Sequence, residues 1–318
     1  MRRLAACVLL AATACTVAAQ SYPVKPVKLI SPFAPGGGTD FIARLLAQQL
    51  SSALGQQFIV ENKPAAGGSA GVEYGVKSAP DGYTLTLISN SYTANPAVHK
   101  VRFDPVAAIT PVIQIAQGPL IVAVHPSLPV NNLADLVQMA KANPQAIYFA
   151  TTGLGSVNHL AIERFADMAG FKLNYVPYKG TGPALIDTIA GQTNALFGAS
   201  ASTLAHVKAG RLKALAVTTK SRLAAEPDLP TVDESAVPGY EMVLWYGLIA
   251  PRGLQPPIRD RLNSEVAKIL KRADIVEQLQ TDGLLVVGGS PDQLLKRIQG
   301  EIKLWAAVAH RAGIKVIE

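Results

Sequence analysis

Short apolar runs alternate with amphipathic helical runs along almost the whole chain, and this alternation restricts the fold more than any other feature. "VKLISPF" reads as a strand and "TDFIARLLAQQLSSALGQ" as a helix, with Phe41, Ile42, Leu45, Leu46, Leu50 and Leu54 at helical spacing and Gly55 at its end. "QFIVEN" is the next strand, "SAGVEYGVKSA" a second helix stopped by Pro80, and "DGYTLTLIS" a strand after an Asp-Gly turn. A β-α-β-α-β series implies a parallel sheet wrapped by helices. The pattern restarts after Pro119. "LIVAVHP" is followed by an Asn-capped helix in "NNLADLVQMAKAN", a strand in "AIYFATT" and a helix in "SVNHLAIERFADMAG". Then come the strand "KLNYVPY", the helix "PALIDTIAG" with Pro183 near its start, and the strands "NALFGAS" and "LKALAVTT". Beyond a stretch rich in proline and acid lies "MVLWYGLIAP", and two long helices close the chain, "IRDRLNSEVAKILKRADIVEQLQTDG" and "PDQLLKRIQGEIKLWAAVAHRAG". The expected fold is α/β with two lobes: one of residues 20–120 plus 238–318, the other of 121–237, joined by extended crossovers into a clam-shell.

The N-terminus carries a basic pair, Arg2 and Arg3, an apolar run from Leu4 to Ala18, and small residues before Gln20. This is the pattern of a secretory signal peptide over residues 1–19, cleaved after Ala19, and it places the mature chain in the periplasm. A lipoprotein signal through Cys15 is the alternative, although the preceding "ATA" lacks the large aliphatic residue such signals carry. Cys7 and Cys15 are the only cysteines and both lie in this segment, so the mature chain has none for a disulfide and depends on its core. Cleavage leaves 299 residues (318 minus 19), and loss of the two arginines takes the formal charge from +7 to +5. There is no Lys/Arg cluster of the kind nucleic-acid binders show, only a weak bias toward small anions. His99, His125, His159, His206 and His310 have no metal-ligand spacing, and no Walker or complete dinucleotide motif is present, so neither a metal nor a cofactor is expected.

Two strand–glycine–helix junctions stand out. Gly36, Gly37 and Gly38 sit where the first strand meets the first helix, and Gly153-Leu154-Gly155, with Ser156 as N-cap, repeats the device in the second lobe. Ligands of open α/β sheets bind at the C-terminal ends of strands. Successive glycine amides and a helix N-terminus offer unpaired N–H groups to an anion there. Two such junctions facing each other suit a molecule with carboxylates.

The segments "YPVKPVKLISPFAPGGGTDFIARLLAQQL", "VENKPAAGGSAGVEYGVKSAPDGYTL", "GLGSVNHLAIERF", "VPYKGTGPALIDTIAGQ", "PDLPTVDESAVPGYE" and "WYGLIAPRG" resemble, in order and spacing, the substrate-binding proteins of the tripartite tricarboxylate transporter family, the Bug or TctC type. The resemblance covers essentially the whole mature chain. It implies a type II-like periplasmic-binding-protein fold, monomeric and non-enzymatic, with a small carboxylate as ligand and a membrane permease as partner. It also implies ligand contacts at Gly36, Gly37, Gly38, Thr39 and Asp40; at Ser89, Asn90 and Ser91; at Gly153, Leu154, Gly155, Ser156 and His159; at Tyr178, Gly180 and Thr181; and at Ala199 and Ser200. Leu154, Val157 and Ala199 stand where the family more often has small, polar or acidic residues, which points to a ligand with an apolar or aromatic body.

Other residues carry two readings each. Asp40 either caps the glycine loop or meets a ligand hydroxyl or ammonium; His159 either donates to the ligand or pins its loop. Trp245 and Tyr246, at the crossover to the first lobe, read as core packing near the hinge, with a ligand platform as the alternative. "GGSAG" fits the nucleophile-elbow pattern around Ser69, but Pro64, Ala65 and Ala66 separate it from the strand, so Ser69 reads as a helix cap and a secreted serine hydrolase as a remote alternative. A receptor that feeds a sensor rather than a transporter is the nearer alternative.

Overall fold

The structure, a computed structural model, describes residues 22–311; residues 1–21, where the signal peptide with Cys7 and Cys15 is expected, and residues 312–318 lie outside the described residues. In chain order the elements are β1 (Val27–Ser31), α1 (Gly38–Leu54), β2 (Phe58–Asn62), α2 (Ser69–Val76), β3 (Thr84–Ser89), α3 (Ser91–Val98), β4 (Ile109–Val124), α4 (Leu133–Ala142), β5 (Tyr148–Thr151), α5 (Val157–Ala169) and β6 (Asn174–Pro177). There follow α6 (Thr181–Ile189), β7 (Ala195–Ala199), α7 (Ser200–Lys208), β8 (Lys213–Val217), α8 (Val232–Ser235), β9 (Val243–Pro251), α9 (Pro256–Leu270), α10 (Ala273–Thr281), β10 (Leu285–Gly288) and α11 (Pro291–Arg311).

The fold is α/β and two-lobed. In the first lobe β1 lies between β2 and β3, all parallel, and β9 joins β3 antiparallel. β4 follows β9 and β10 follows β4, both antiparallel. In the second lobe β5 is parallel to β6 and β7, while β4 runs antiparallel to β7 and β8. The purely parallel sheets expected from the βαβ pattern are therefore interrupted by β4 and β9, the strands that cross between lobes. β4 spans 16 residues without a break, whereas the sequence suggests a strand starting only after Pro119. Proline has no N–H to give a ladder. Here Pro119 pairs with Val243 at the end of the β9 register, and Leu120 is the first residue to pair with β7. The proline thus occupies the point where β4 changes partner, and the strand passes through it.

The amphipathic reading of α1 holds: Ile42, Leu45, Leu46 and Leu50 are buried, and Gly55 closes the helix in the left-handed region at φ 68°. The Asn132 side chain accepts from Asp135 N at 2.9 Å, as the Asn cap expected for α4. Helices α3, α7 and α8 and strand β10 have no counterpart in the sequence reading. α3, "SYTANPAV", has poor helix propensity and an internal Pro96, yet Tyr92, Ala94 and Val98 are buried and packing imposes the helix. The expected long helix from Ile258 to Gly283 is two, α9 and α10, because Arg272 is extended (φ −71°, ψ 135°) and its guanidinium bonds Asp274 and Gln49. α11 packs on the first lobe, where Leu294 and Ile298 join Val72, Ile88, Tyr92, Ile109, Trp245 and Ile249 in a buried cluster.

Candidate functional site

A cavity of about 20 Å³ lies between the lobes, room for little more than one water-sized group. Phe33, Gly37, Gly38, Thr39, Ser89, Ser91, Leu244 and Tyr246 line it from the first lobe and the β9 crossover; Thr152, Asn158, Thr181 and Ala199 line it from the second. Among the described residues, this lining contains no lysine, arginine, histidine or carboxylate. What it does contain is helix beginnings. α1, α3, α6 and α7 each bring a first-turn or N-cap residue to the cavity, and none of these four has a side-chain hydrogen bond at its N-cap. Uncapped helix N-termini present unpaired N–H groups and a partial positive charge.

The first glycine loop is organised from below. Gly36 is left-handed (φ 83°), whereas Gly37 is extended (φ −97°, ψ 172°) and Gly38 opens the helix. Asp40, 4 % exposed, faces this loop rather than the cavity. Its carboxylate accepts from Gly36 N at 3.1 Å, Asn62 Nδ2 at 2.8 Å and Arg44 Nε at 2.8 Å. One amide of the glycine nest is therefore already occupied by the chain's own carboxylate.

The second glycine loop is turned differently. Gly153 and Gly155 are left-handed (φ 114° and 73°) and Ser156 caps α5 at 3.3 Å from His159 N, but these residues close against the first lobe instead of lining the cavity. A Cβ on Gly155 would lie 2.4 Å from His99 Nε2, and one on Gly67 2.4 Å from the Leu154 carbonyl. His99 Nε2 lies 2.7 Å from that carbonyl, and Val157 N donates to Ser91 Oγ at 3.0 Å. His159 contacts its own loop and helix: its Nδ1 accepts from Gly155 N at 3.3 Å, and Nε2 is 3.4 Å from Glu163. Leu154 and Val157 do not reach the cavity, so of the three residues suggesting an apolar body only Ala199 lines it.

The remaining residues divide in the same way. Ser89, Ser91 and Thr181 line the cavity; Asn90 Nδ2 instead ties α3 to the Val243 carbonyl at 2.8 Å. Gly180 (φ 147°) and Gly182 lie against the Ala34–Gly36 backbone, and Ala34 N donates to Lys179 O at 2.9 Å. Tyr178 donates to Asp187 at 2.7 Å; burial first, then that carboxylate, push its phenol up to about 12. Ser200 Oγ donates to Gly283 O at 3.2 Å, away from the cavity. Ser69 begins α2 after Gly68 rather than capping it, and its hydroxyl donates to Ala66 O at 2.9 Å.

Phe33, Thr152, Asn158 and Leu244 are lining residues that the sequence reading leaves out, and Tyr246 is one for which it favours core packing over a ligand platform. Asn158 donates to Phe197 O at 2.7 Å, and the Thr152 hydroxyl lies 2.8 Å from Ser156 Oγ and 3.1 Å from Asn158 Oδ1, so these polar groups brace the ends of β5 and β7. Tyr246 had a signal in the sequence. Strand side chains alternate faces, so Trp245 and Tyr246 point oppositely. Trp245 enters the core and donates to Glu301 at 2.7 Å; Tyr246 enters the cavity with Leu244.

The Asp40 cluster makes a pH prediction. Burial would raise this carboxyl, but the bonds from Arg44, Asn62 and Gly36 outweigh it and hold it below its ordinary value. A depressed folded pKa contributes stability that is present above the ordinary carboxylate range and lost as pH falls through the folded value. Asp40→Ala should cost about 1–3 kcal/mol at neutral pH, the penalty of buried donors left unpaired. In urea titrations the gap to wild type should hold from neutrality down to about pH 4 and close below it. A gap that widens in acid refutes this role.

Residues 42–314 match the family model described as tripartite tricarboxylate transporter family receptor. The chain is 36% identical over 313 residues to Protein BugT of Bordetella pertussis, covering 96% of this chain and 95% of BugT. It superposes on an R. palustris protein solved with adipate at a TM-score of 0.90, with 36% identity and coverage of 93% of this chain and 100% of that one. MatC from Rhodopseudomonas palustris with bound malate matches at a TM-score of 0.86, with 30% identity and 91% and 100% coverage. The match from α1 through α11, the full-length similarity to BugT and the shared two-lobe architecture together place this chain in the family of tripartite tricarboxylate transporter receptors, of the Bug type.

Proposed function

We propose that this chain is a monomeric periplasmic receptor that closes its lobes, 20–120 plus 238–318 and 121–237, on a small carboxylate and delivers it to a membrane permease of the tripartite tricarboxylate type. The observation that carries this reading is the convergence of four uncapped helix N-termini on one interlobe cavity whose lining has no charged side chain. Such a site compensates an anion with backbone N–H groups and hydroxyls, which bind a carboxylate without offering a counter-ion to an ammonium. The relatives solved with adipate and with malate support the acid class.

The body of the acid is apolar or aromatic, bearing one or two carboxylates. Phe33, Ala199 and Leu244 supply the apolar wall in place of the Leu154 and Val157 expected from the sequence. A small diacid exceeds the present cavity, so the lobes part to admit it and close again on a cavity widened by withdrawal of the lining side chains. Calorimetric titration with adipate, terephthalate, malate, citrate and glutamate tests the reading. Adipate or terephthalate should bind at least roughly tenfold more tightly than citrate or glutamate, whose extra buried polar groups lack partners. Tighter binding of citrate or glutamate overturns the apolar body; binding of none overturns the carboxylate site.

A further inference from the structure

Tyr246 combines three properties that seldom coincide. Its side chain is fully buried, its hydroxyl has no hydrogen-bond partner within the protein, and it lines the interlobe cavity. Buried hydroxyls are ordinarily satisfied, because leaving one unpaired is costly. The hydroxyl is also held in place. It lies against the backbone of Gly38, where an added Cβ would sit 2.1 Å from the oxygen and 2.8 Å from the Ala199 Cβ. Gly38 is the first residue of α1, and Ala199 is the N-cap of α7. The orphan hydroxyl is thus wedged between two helix N-termini from opposite lobes, on the strand that links them.

We propose that Tyr246 is a specificity-determining residue: its hydroxyl donates a hydrogen bond to the ligand carboxylate seated at the α1 N-terminus. The inference rests on the carboxylate reading given above and deepens it. The α1 N–H groups on one side are donors and the phenol on the other can donate, and an oxyanion is an acceptor that satisfies them together. Burial drives the phenol pKa up, so the group remains a protonated donor at any physiological pH. A neutral ester or amide at the same place accepts more weakly, so the tyrosine favours the ionised acid.

Tyr246→Phe keeps the ring and removes only the hydroxyl. Because that hydroxyl has no protein partner, the ligand-free variant should melt no lower than wild type. Its affinity for adipate and for terephthalate should fall by roughly ten- to a hundredfold, the range for a hydrogen bond to a charged group. The tyrosine ultraviolet difference signal on saturating wild type with adipate should shrink in the variant. Unchanged affinity for an acid that wild type binds overturns the inference alone. A lower melting temperature of the ligand-free variant also overturns it, since it shows that the hydroxyl serves the fold. If wild type binds neither acid, the carboxylate reading fails first and takes this inference with it.

Discussion

Gly182→Ala should remove tight carboxylate binding while leaving both lobes folded. A Cβ at this position would lie 2.0 Å from the Pro35 carbonyl oxygen, which belongs to the backbone of the opposite lobe. A backbone atom cannot rotate aside as a side chain does, so the lobes must separate. Separation loosens the bonds from Ala34 N to Lys179 O, from Val157 N to Ser91 Oγ, and between His99 and the Leu154 carbonyl. At about 0.5–1.5 kcal/mol each, their loss weakens the closed form by roughly ten- to a thousandfold in affinity. These bonds belong to the closed form that the ligand stabilises, and the substitution lies within α6, where alanine favours helix by about 0.5–1 kcal/mol over glycine, so the open, ligand-free protein should melt at the wild-type temperature or slightly above. Calorimetry with adipate and small-angle scattering would show weak binding and a larger radius of gyration. Wild-type affinity in this variant would mean that closure along the Pro35–Gly182 seam is not needed.

Gly38→Ala should harm binding and stability together. Its methyl would meet the Tyr246 hydroxyl at 2.1 Å, the Ala199 Cβ at 2.8 Å and Tyr246 Cζ at 3.1 Å, all belonging to fully or almost fully buried side chains. Overpacking of this kind costs roughly 1–3 kcal/mol, and the methyl also takes up cavity space at the α1 N-terminus. The two glycines are thus distinguished by which property falls. At Gly182 the clash is across the cleft and falls on affinity; at Gly38 it includes the hinge strand and falls on the melting temperature as well. Combining Gly38→Ala with Tyr246→Phe removes the shortest contact and should recover part of the lost stability, without recovering affinity. Additive losses in chemical denaturation would show that the two residues are not coupled through this contact.

Periodicity and turn chemistry were enough to obtain the α/β class, the two lobes and most of the elements. Leu45, Leu46 and Leu50 had to face a sheet, Gly55 had to end α1, and Asn132 had to begin α4, because those choices depend on neighbours a few residues away. The first glycine junction was legible for the same reason: a strand running through Gly36–Gly38 into a helix leaves uncapped N–H groups wherever the chain goes next. α3 was not legible, since its own propensities oppose a helix and only the burial of Tyr92 and Val98 imposes one. Nor was the continuity of β4 through Pro119, because a proline that would break a ladder is harmless where a strand exchanges partners.

What each glycine loop faces was decided by tertiary structure alone. Gly36–Gly38 and Gly153–Gly155 look alike in sequence, yet Gly37 and Gly38 border the cavity and Gly155 abuts His99 of the other lobe. Asp40 and His159 each carried two readings, and both are held by loop contacts, Asp40 with Gly36 and His159 with Gly155. The local chain sets which groups a loop offers. Which of them meet a ligand and which meet protein depends on how the two lobes close, and that closure is fixed by contacts between residues as distant as Ala34 and Lys179, Ser91 and Val157, and His99 and Leu154.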